Sequence, residues 1–307
     1  MIDGIMLLWF VLTGLALLFV AIDIRSTPES TVMKWGFVLV TAYTGVFGAF
    51  FYVLGCREPL PGTHERYVDV RWRQVLGSTM HCVAGDGIGI LVGAVISNAL
   101  ALRGPGEVVL EYVLGFAFGW TIFQALFMRD MAGGSYARSL SSTFIPELLS
   151  MNLLMAGMVP TMMILQSTLA PMAGPTAPVF WFVMSMALFV GFIVAYPMNW
   201  WLVAYNLKHG MMTIRPGVMN QPEMNMAEGN MPGMEMANMK TAGANAHAGA
   251  HEHAATSGAA PIGQGDAMAS QMDHGPSTPV PSVPIMTVLS FLALAAGVAL
   301  SQFAAPM

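Results

Sequence analysis

Charged side chains are scarce in this sequence: Asp, Glu, Lys and Arg together make up 9% of its 307 residues. A soluble globular domain carries roughly 25% charged residues, so the surface of this chain could not stay hydrated in water. This scarcity excludes a soluble enzyme. The 12 basic residues are outnumbered by 17 acidic ones, which leaves no cationic footprint for the phosphates of nucleic acids. We therefore expect no nucleic-acid partner.

Cysteine is almost absent as well, since the chain contains only Cys56 and Cys82. Two thiols exclude a disulfide scaffold and a zinc site built from cysteines alone. Apolar side chains are abundant at 55%, and the mean hydropathy is +0.62. Methionine, with 28 residues, exceeds its ordinary share several times. These features predict a polytopic membrane protein whose immediate partner is the lipid bilayer.

Seven stretches are long and apolar enough to cross a bilayer, which requires about 20 residues of helix. They cover residues 5–22, 33–54, 75–98, 108–127, 145–167, 178–204 and 285–304. The sequence thus predicts an all-α fold, a polytopic bundle of about seven transmembrane helices. Its domains would be a six-helix membrane core (1–208), a linker (209–284) and a C-terminal transmembrane helix (285–307). The linker is nearly empty of large aliphatic residues, a composition typical of a disordered tether.

Lys and Arg are distributed unevenly among the predicted loops, and this bias sets the orientation of membrane proteins. Loops after the second, fourth and sixth predicted helices carry eight basic residues, against three in the loops after the first, third and fifth. The eight are Arg57, Arg66, Arg71, Arg73, Arg129, Arg138, Lys208 and Arg215, and the three are Arg25, Lys34 and Arg103. The count predicts that the N-terminus and the root of the linker lie in the cytoplasm.

The linker concentrates possible metal ligands. Seven of the 21 residues from Met219 to Met239 are methionines, many in MxM and MxxM spacing. The candidate ligands are Met219, Met224, Met226, Met231, Met234, Met236 and Met239, followed by His247, His251, His253 and His274. Thioethers favour Cu(I), and imidazole binds Cu(II), Zn(II) or Ni(II). The linker is therefore a candidate copper-binding segment, and the alternative is a linker in which methionine is merely tolerated. Because cytosolic copper sites usually recruit thiolates, a linker without cysteine either faces the periplasm or is a weak reservoir.

Polar residues within the predicted spans form a second candidate metal site. The third span contains His81, Cys82 and Asp86, and an ionisable group near mid-span indicates function by default. Cys82 and Asp86 are four residues apart and share one helix face. In the fifth span, Glu147 and Met151 begin a face that carries one carboxylate and four thioethers. Neither span has a Lys or Arg at similar depth, so we expect unpaired carboxylates. The alternative is that these groups only fix helix packing.

Haem is not expected as a cofactor, since His81 is the only histidine within a predicted span and bis-histidine ligation needs two. The sequence also lacks a P-loop, a dinucleotide-binding fingerprint and a nucleophile elbow. We therefore predict no catalytic residues, and copper is the cofactor that the sequence favours.

Three phrases of the sequence are similar to a known family: MHCVAGDGIGI, LLSMNLLMAGMVP and FWFVMSMALFVGFIVAYPMNWWLVAYNLKHGMM. They resemble a bacterial integral membrane family catalogued as a domain of unknown function (number 4396), over about residues 70–212. The positions that resemble the family are His81, Cys82, Asp86, Glu147, Asn152, Pro197, Asn199, Trp200 and Trp201. Some members look His/Met-rich and are loosely described as copper-related. The resemblance implies a membrane core and brings no settled activity.

Together these features favour a bacterial inner-membrane protein that binds copper and moves it or hands it over. The linker would collect the ion and the intramembrane site would pass it on. Two alternatives stay open. One is an accessory or assembly subunit without activity of its own, whose partner is another membrane complex or a copper protein. The other is a membrane oxidoreductase with copper or a quinone at Asp86 and Glu147.

We predict that a peptide of residues 217–242 binds Cu(I) through its thioethers and competes with a chromophoric Cu(I) ligand at micromolar concentration. A matched peptide with leucine at every methionine position should not compete. Because thioethers do not titrate, this binding should not change with pH, whereas histidines 247 to 274 should lose metal below about pH 6. Equal behaviour of the two peptides would refute the methionine site.

Overall fold

The computed structural model describes residues 2–128, 135–169, 173–211 and 278–304, and these residues form helices without a β-strand. The helices are α1 (Ile2–Asp23), α2 (Thr31–Thr44), α3 (Val46–Gly55), α4 (His64–Val68), α5 (Arg71–Ala99), α6 (Pro105–Phe118), α7 (Ala125–Met128), α8 (Tyr136–Leu169), α9 (Pro178–Ala204) and α10 (Val283–Ala304). A π-helical turn, Gly119–Gln124, joins α6 to α7. The predicted all-α fold is confirmed. The candidate linker ligands from Met219 to His274 lie outside the described residues.

Six helical segments of the described chain are long and apolar enough to span a membrane, so the chain is a multi-pass membrane protein, as predicted. They are Asp3–Ser26, Arg71–Ala99, Pro105–Gln124, Tyr136–Leu169, Pro178–Ala204 and Val283–Gln302. In α5, 72% of the most apolar stretch is buried within the protein, against 11% in both α1 and α10. The bundle is therefore built around α5, while α1 and α10 turn most of their surface outward.

Two pairs of helices are locked together by glycines that let backbones touch. Between α5 and α6, a methyl group on Gly89 would lie 2.6 Å from the Cα of Gly115, and one on Gly85 would lie 2.8 Å from the Cα of Gly119. Between α8 and α9, a methyl group on Gly157 would lie 3.1 Å from the Cα of Gly191. Small residues at such seams allow close packing where water provides no driving force between helices.

The second predicted span, 33–54, is not a single helix. Gly45 interrupts it with φ 61°, a left-handed backbone conformation that favours glycine, and α3 folds back against α2. The rings of Phe37 and Tyr52 lie 5.7 Å apart between centroids, whereas a continuous helix would separate the two residues by roughly 22 Å. The α2–α3 hairpin therefore enters and leaves at the same end of the bundle.

This hairpin brings the first two predicted loops to one end. Asp23 at the end of α1 forms an ion pair with Arg57 after α3, with 2.8 Å between Oδ2 and Nε. We call this the basic end, because eight of the nine basic residues in the described chain lie there. They are Arg25, Lys34, Arg57, Arg66, Arg71, Arg73, Arg138 and Lys208, with Arg103 at the far end. The predicted separation of Arg25 and Lys34 from the other basic residues is wrong, because it assumed a crossing at 33–54.

The hairpin also changes which end of the bundle the start of α1 occupies relative to Lys208. With one crossing fewer, the start of α1 and Lys208 lie at opposite ends of the bundle. At the far end, residues 100–104 lie beside residues 173–177, where a methyl group on Gly174 would approach Asn98 Oδ1 to 2.9 Å. At the C-terminal side, α10 packs on α8, where the amide Nδ2 of Asn152 donates to Ser290 Oγ at 3.0 Å.

We predict that cysteines introduced by Ser26→Cys and Arg66→Cys react with a membrane-impermeant thiol reagent from the same side of sealed vesicles. Arg103→Cys should react only from the opposite side. The native Cys56 and Cys82 are buried, so the unmodified chain supplies the background. Reaction of positions 26 and 66 from opposite sides would restore a crossing at 33–54 and refute the hairpin.

Candidate functional site

Helices α5 and α8 bring a thiol and a carboxylate together inside the bundle. The Sγ of Cys82 donates to Oε2 of Glu147 at 3.2 Å, and both side chains are buried. The π-helical turn adds Gln124, whose Nε2 donates to the same Oε2 at 2.8 Å and contacts Cys82 Sγ at 3.1 Å. A π-helical turn often marks a functional position. Here it points an amide into the cluster, which the sequence analysis did not foresee.

A cation that the sequence placed in a loop completes this cluster. Lys208 follows α9, yet its side chain is only 4% exposed and its Nζ lies 3.2 Å from Oε2 of Glu147. The same ammonium donates to Cys82 Sγ and to Asn199 Oδ1, the latter at 3.1 Å. The expectation that Glu147 has no cationic partner is therefore wrong, because the chain after α9 folds back into the bundle.

Asp86 lies one helical turn beyond Cys82 on α5, against the glycine seam. A methyl group on Gly119 would collide with its Oδ1 and would lie 2.7 Å from Oε1 of Glu147. The side chain of Asp86 is hydrogen-bonded to that of Glu147, and among the described residues no amide, hydroxyl or ammonium group donates to its oxygens. In the described chain, Cys82, Asp86 and Glu147 do not present three ligand atoms within 4.8 Å of one another. A cation bound by all three would therefore have to draw them together.

Acidic residues continue from this cluster towards the far end. Glu107, Glu111, Gly115 and Gly119 are spaced by four along α6 and the π-helical turn, so they share one face. A methyl group on Gly93 of α5 would lie 2.8 Å from the Cα of Glu111. Glu111 is fully buried, and neither of its oxygens has a hydrogen-bond partner in the described part of the chain.

At the far end, half-buried Glu107 lines a cavity of about 280 Å³ together with Asn98 and Arg103. We call Glu107, Glu111, Asp86 and Glu147 the acidic series; it runs from this cavity to Lys208. Glu107 and Glu111 are not among the site residues predicted from the sequence. A glutamate inside the predicted span 108–127, one turn after another glutamate, was the available signal.

The other predicted ligands occupy different positions. His81 directs its Nε2 to the backbone oxygen of Phe123 at 3.0 Å, so it lies on the neighbouring face of α5. Met151 is buried, and a methyl group on Gly115 would lie 2.7 Å from its Cε, which puts the thioether one turn from Gly119. The remaining methionines of its stripe, Met155, Met158 and Met162, lie in the hydrophobic core. Flexible thioethers fill such cores well, so packing accounts for these three residues.

Residues 71–208 match a family described as a domain of unknown function (DUF4396). The predicted resemblance is thereby confirmed, and the matched range runs from the first residue of α5 to Lys208. It contains Asp86, Cys82 and Glu147, the last two with their partner Lys208, together with the two glutamates of α6. No curated protein and no solved structure matches the chain.

We predict that Lys208→Met lowers the free energy of unfolding by about 3–5 kcal/mol, because it leaves Glu147 as an uncompensated buried charge. Adding Glu147→Gln should restore most of the loss, since the pair then carries no charge. Unfolding in detergent, followed by circular dichroism, measures both variants. Lys34→Met at the basic end is the matched control. Additive effects in the double variant would contradict the ion pair.

Proposed function

The chain carries a DUF4396 domain over residues 71–208, and we propose that this domain binds copper and moves it across the membrane. The observation that carries the proposal is the acidic series, which connects the far-end cavity at Glu107 with the buried ammonium of Lys208. One of its members, Glu111, is buried without a hydrogen-bond partner among the described residues, and Asp86 is buried with the carboxyl group of Glu147 as its hydrogen-bond partner. Carboxylates in this order offer a cation successive binding positions, and ionisable groups inside membranes mark ion pathways.

Packing alone does not account for the acidic series. Placing even an uncharged polar group in an apolar interior without a hydrogen bond costs roughly 2–7 kcal/mol, and ionisable groups inside membranes are concentrated along ion pathways. Glu111 faces Gly93 of the neighbouring helix, where an apolar side chain would pack without that cost. The free-energy cost of burying these carboxyl groups is explained if a mobile cation neutralises them in turn.

In the state without bound copper, the ammonium of Lys208 balances the negative charge of Glu147. Its ammonium contacts a thiol, a carboxylate and an amide oxygen, all of which can also bind a metal cation. A cation at Cys82 and Glu147 would have to displace Lys208, because two positive charges cannot share the same buried donors. Displacement of a fixed ammonium would then couple arrival of the ion to movement of the segment that follows α9.

The soft donors favour copper over harder cations. Cys82 supplies a thiol at the cluster, and Met151 supplies a thioether one turn away. Soft sulfur ligands select Cu(I), whereas Mg²⁺ and Ca²⁺ prefer oxygen. The methionines and histidines of residues 219–274 begin eleven residues after Lys208. We therefore propose that this segment gathers copper for the intramembrane site.

We propose the bacterial inner membrane as the location, with the basic end in the cytoplasm, since basic loops remain on that side. The root of the linker is then cytoplasmic, as the sequence analysis expects. The N-terminus lies on the opposite, periplasmic face, because the α2–α3 hairpin removes one crossing. A cytoplasmic linker without cysteine fits a weak reservoir better than a high-affinity site.

The proposal is tested by copper uptake into proteoliposomes that contain the purified full-length protein and a trapped Cu(I) indicator. We expect uptake above that of empty liposomes. Asp86→Asn and Glu111→Gln keep the side-chain shape and remove the charge, and each should slow uptake at least about tenfold, which corresponds to a barrier raised by roughly 1.4 kcal/mol. Both variants should fold and reconstitute as the unmodified protein does.

Exposed carboxylates of the loop 56–70 provide matched controls. Asp69→Asn and Glu65→Gln make the same chemical changes outside the path and should leave uptake unchanged. Uptake at the unmodified rate in both Asp86→Asn and Glu111→Gln would remove the acidic series from the mechanism. If the unmodified protein moves protons but no copper, as measured by a trapped pH indicator, the cargo assignment is wrong.

A further inference from the structure

A second buried cluster lies at the basic end, outside the DUF4396 domain and apart from the acidic series. It joins three short segments: Glu29 lies between α1 and α2, Cys56 directly follows α3, and His64 is the first residue of α4. A carboxylate oxygen, the thiol sulfur and a ring nitrogen of these residues all lie within 4.8 Å of one another. All three residues are buried.

One atom of this cluster is not satisfied. Oε2 of Glu29 accepts a hydrogen bond from the backbone N–H of Ser30 at 3.2 Å, but Oε1 has no hydrogen-bond partner among the described residues. That oxygen lies 4.0 Å from Nε2 of His64, too far for a hydrogen bond. The same Nε2 lies 3.0 Å from the backbone oxygen of Cys56. A nearly inaccessible carboxylate oxygen thus faces a thiol and an imidazole.

We propose that Glu29, Cys56 and His64 bind a divalent cation of borderline softness, with Zn²⁺ as the reference ion. Thiolate, imidazole and carboxylate are the three ligand types that zinc takes in proteins, at about 2.0–2.3 Å. Tetrahedral bonds of that length separate the ligand atoms by roughly 3.3–3.7 Å, so the cluster must contract by about 1 Å. The backbone oxygen of Cys56 is close enough to His64 to serve as a fourth ligand.

The charge of the site selects a divalent ion. One thiolate and one carboxylate neutralise two positive charges, and the imidazole binds metal in its neutral form. A monovalent ion such as Cu(I) would leave a net negative charge in a site closed to solvent, where uncompensated charge is costly. Burial raises the pKa of Glu29 to about 8 and also raises the pKa of the Cys56 thiol. Metal binding therefore releases both protons to solvent.

A purely structural interpretation leaves the cluster unexplained. If Glu29 and His64 served only to hold the loops together, a direct hydrogen bond between the two side chains would be sufficient. The thiol of Cys56 would then not be needed. Neighbouring polar groups do satisfy one another: the hydroxyl groups of Thr27 and Tyr52 lie 2.9 Å apart. A bound cation at the neighbouring cluster would fasten the segment after α1, the exit of the hairpin and α4 to a single point.

The test uses purified full-length protein, stripped with a chelator and titrated with Co²⁺ as a spectroscopic probe for the zinc site. We expect one equivalent of Co²⁺ to produce a thiolate-to-cobalt charge-transfer band, and one equivalent of Zn²⁺ to abolish it. This band reports only on cysteine, and the chain contains two, Cys56 and Cys82. Histidines and methionines of the linker cannot produce it.

Cys56→Ser should abolish the band, and Cys82→Ser, a matched change at the other buried thiol, should leave it in place. Glu29→Gln keeps the thiol and the side-chain shape, so it replaces Cys56→Ser if the latter fails to fold; we expect Co²⁺ affinity to fall at least about tenfold. Absence of the band in the unmodified protein, its persistence in Cys56→Ser, or unchanged affinity in Glu29→Gln would overturn the proposal. Copper uptake into proteoliposomes is a separate measurement, so the two proposals can fail independently.

Discussion

The ion pair between Lys208 and Glu147 holds the centre of this bundle together. Either charge alone would be prohibitively expensive at this depth, so the chain after α9 must fold inward for α8 to keep its glutamate. The same ammonium reaches Cys82 on α5 and Asn199 on α9, so a single charged atom connects three helices. Gln124 approaches the same carboxylate oxygen from the π-helical turn and brings a fourth element to this point.

The length and composition of the apolar runs are sufficient to predict most of the helices. Six of the seven predicted spans coincide with long apolar helices, and Asp86 and Glu147 are buried within the bundle, as their positions in those runs predict. The interruption at Gly45 could not be read in this way, because an apolar run contains the same residues whether it crosses the membrane or doubles back. Only the backbone angle φ of Gly45 distinguishes a hairpin from a crossing, and glycines occur in other spans without such a break.

At two places, the position of a residue in the sequence does not indicate how deeply its side chain is buried in the bundle. Lys208 stands beyond the last apolar residue of α9, and basic residues in that position ordinarily remain at the membrane surface. Glu29, Cys56 and His64 are each unremarkable in a loop, and their meeting depends on the hairpin, which the sequence did not predict. Both sites are products of tertiary folding, since no spacing of residues along the chain brings their members together.

The glycine seams divide the described core into two stiff pairs of helices, α5 with α6 and α8 with α9. Backbones in contact cannot slide past each other without collision, so each pair would move as one body. The central cluster lies across the division: Cys82 and Asp86 belong to the first pair, while Glu147 and Asn199 belong to the second. A small rotation between the pairs would therefore separate the thiol from the carboxylate while leaving every internal seam intact. The proposed copper site would open and close as the boundary between two rigid halves.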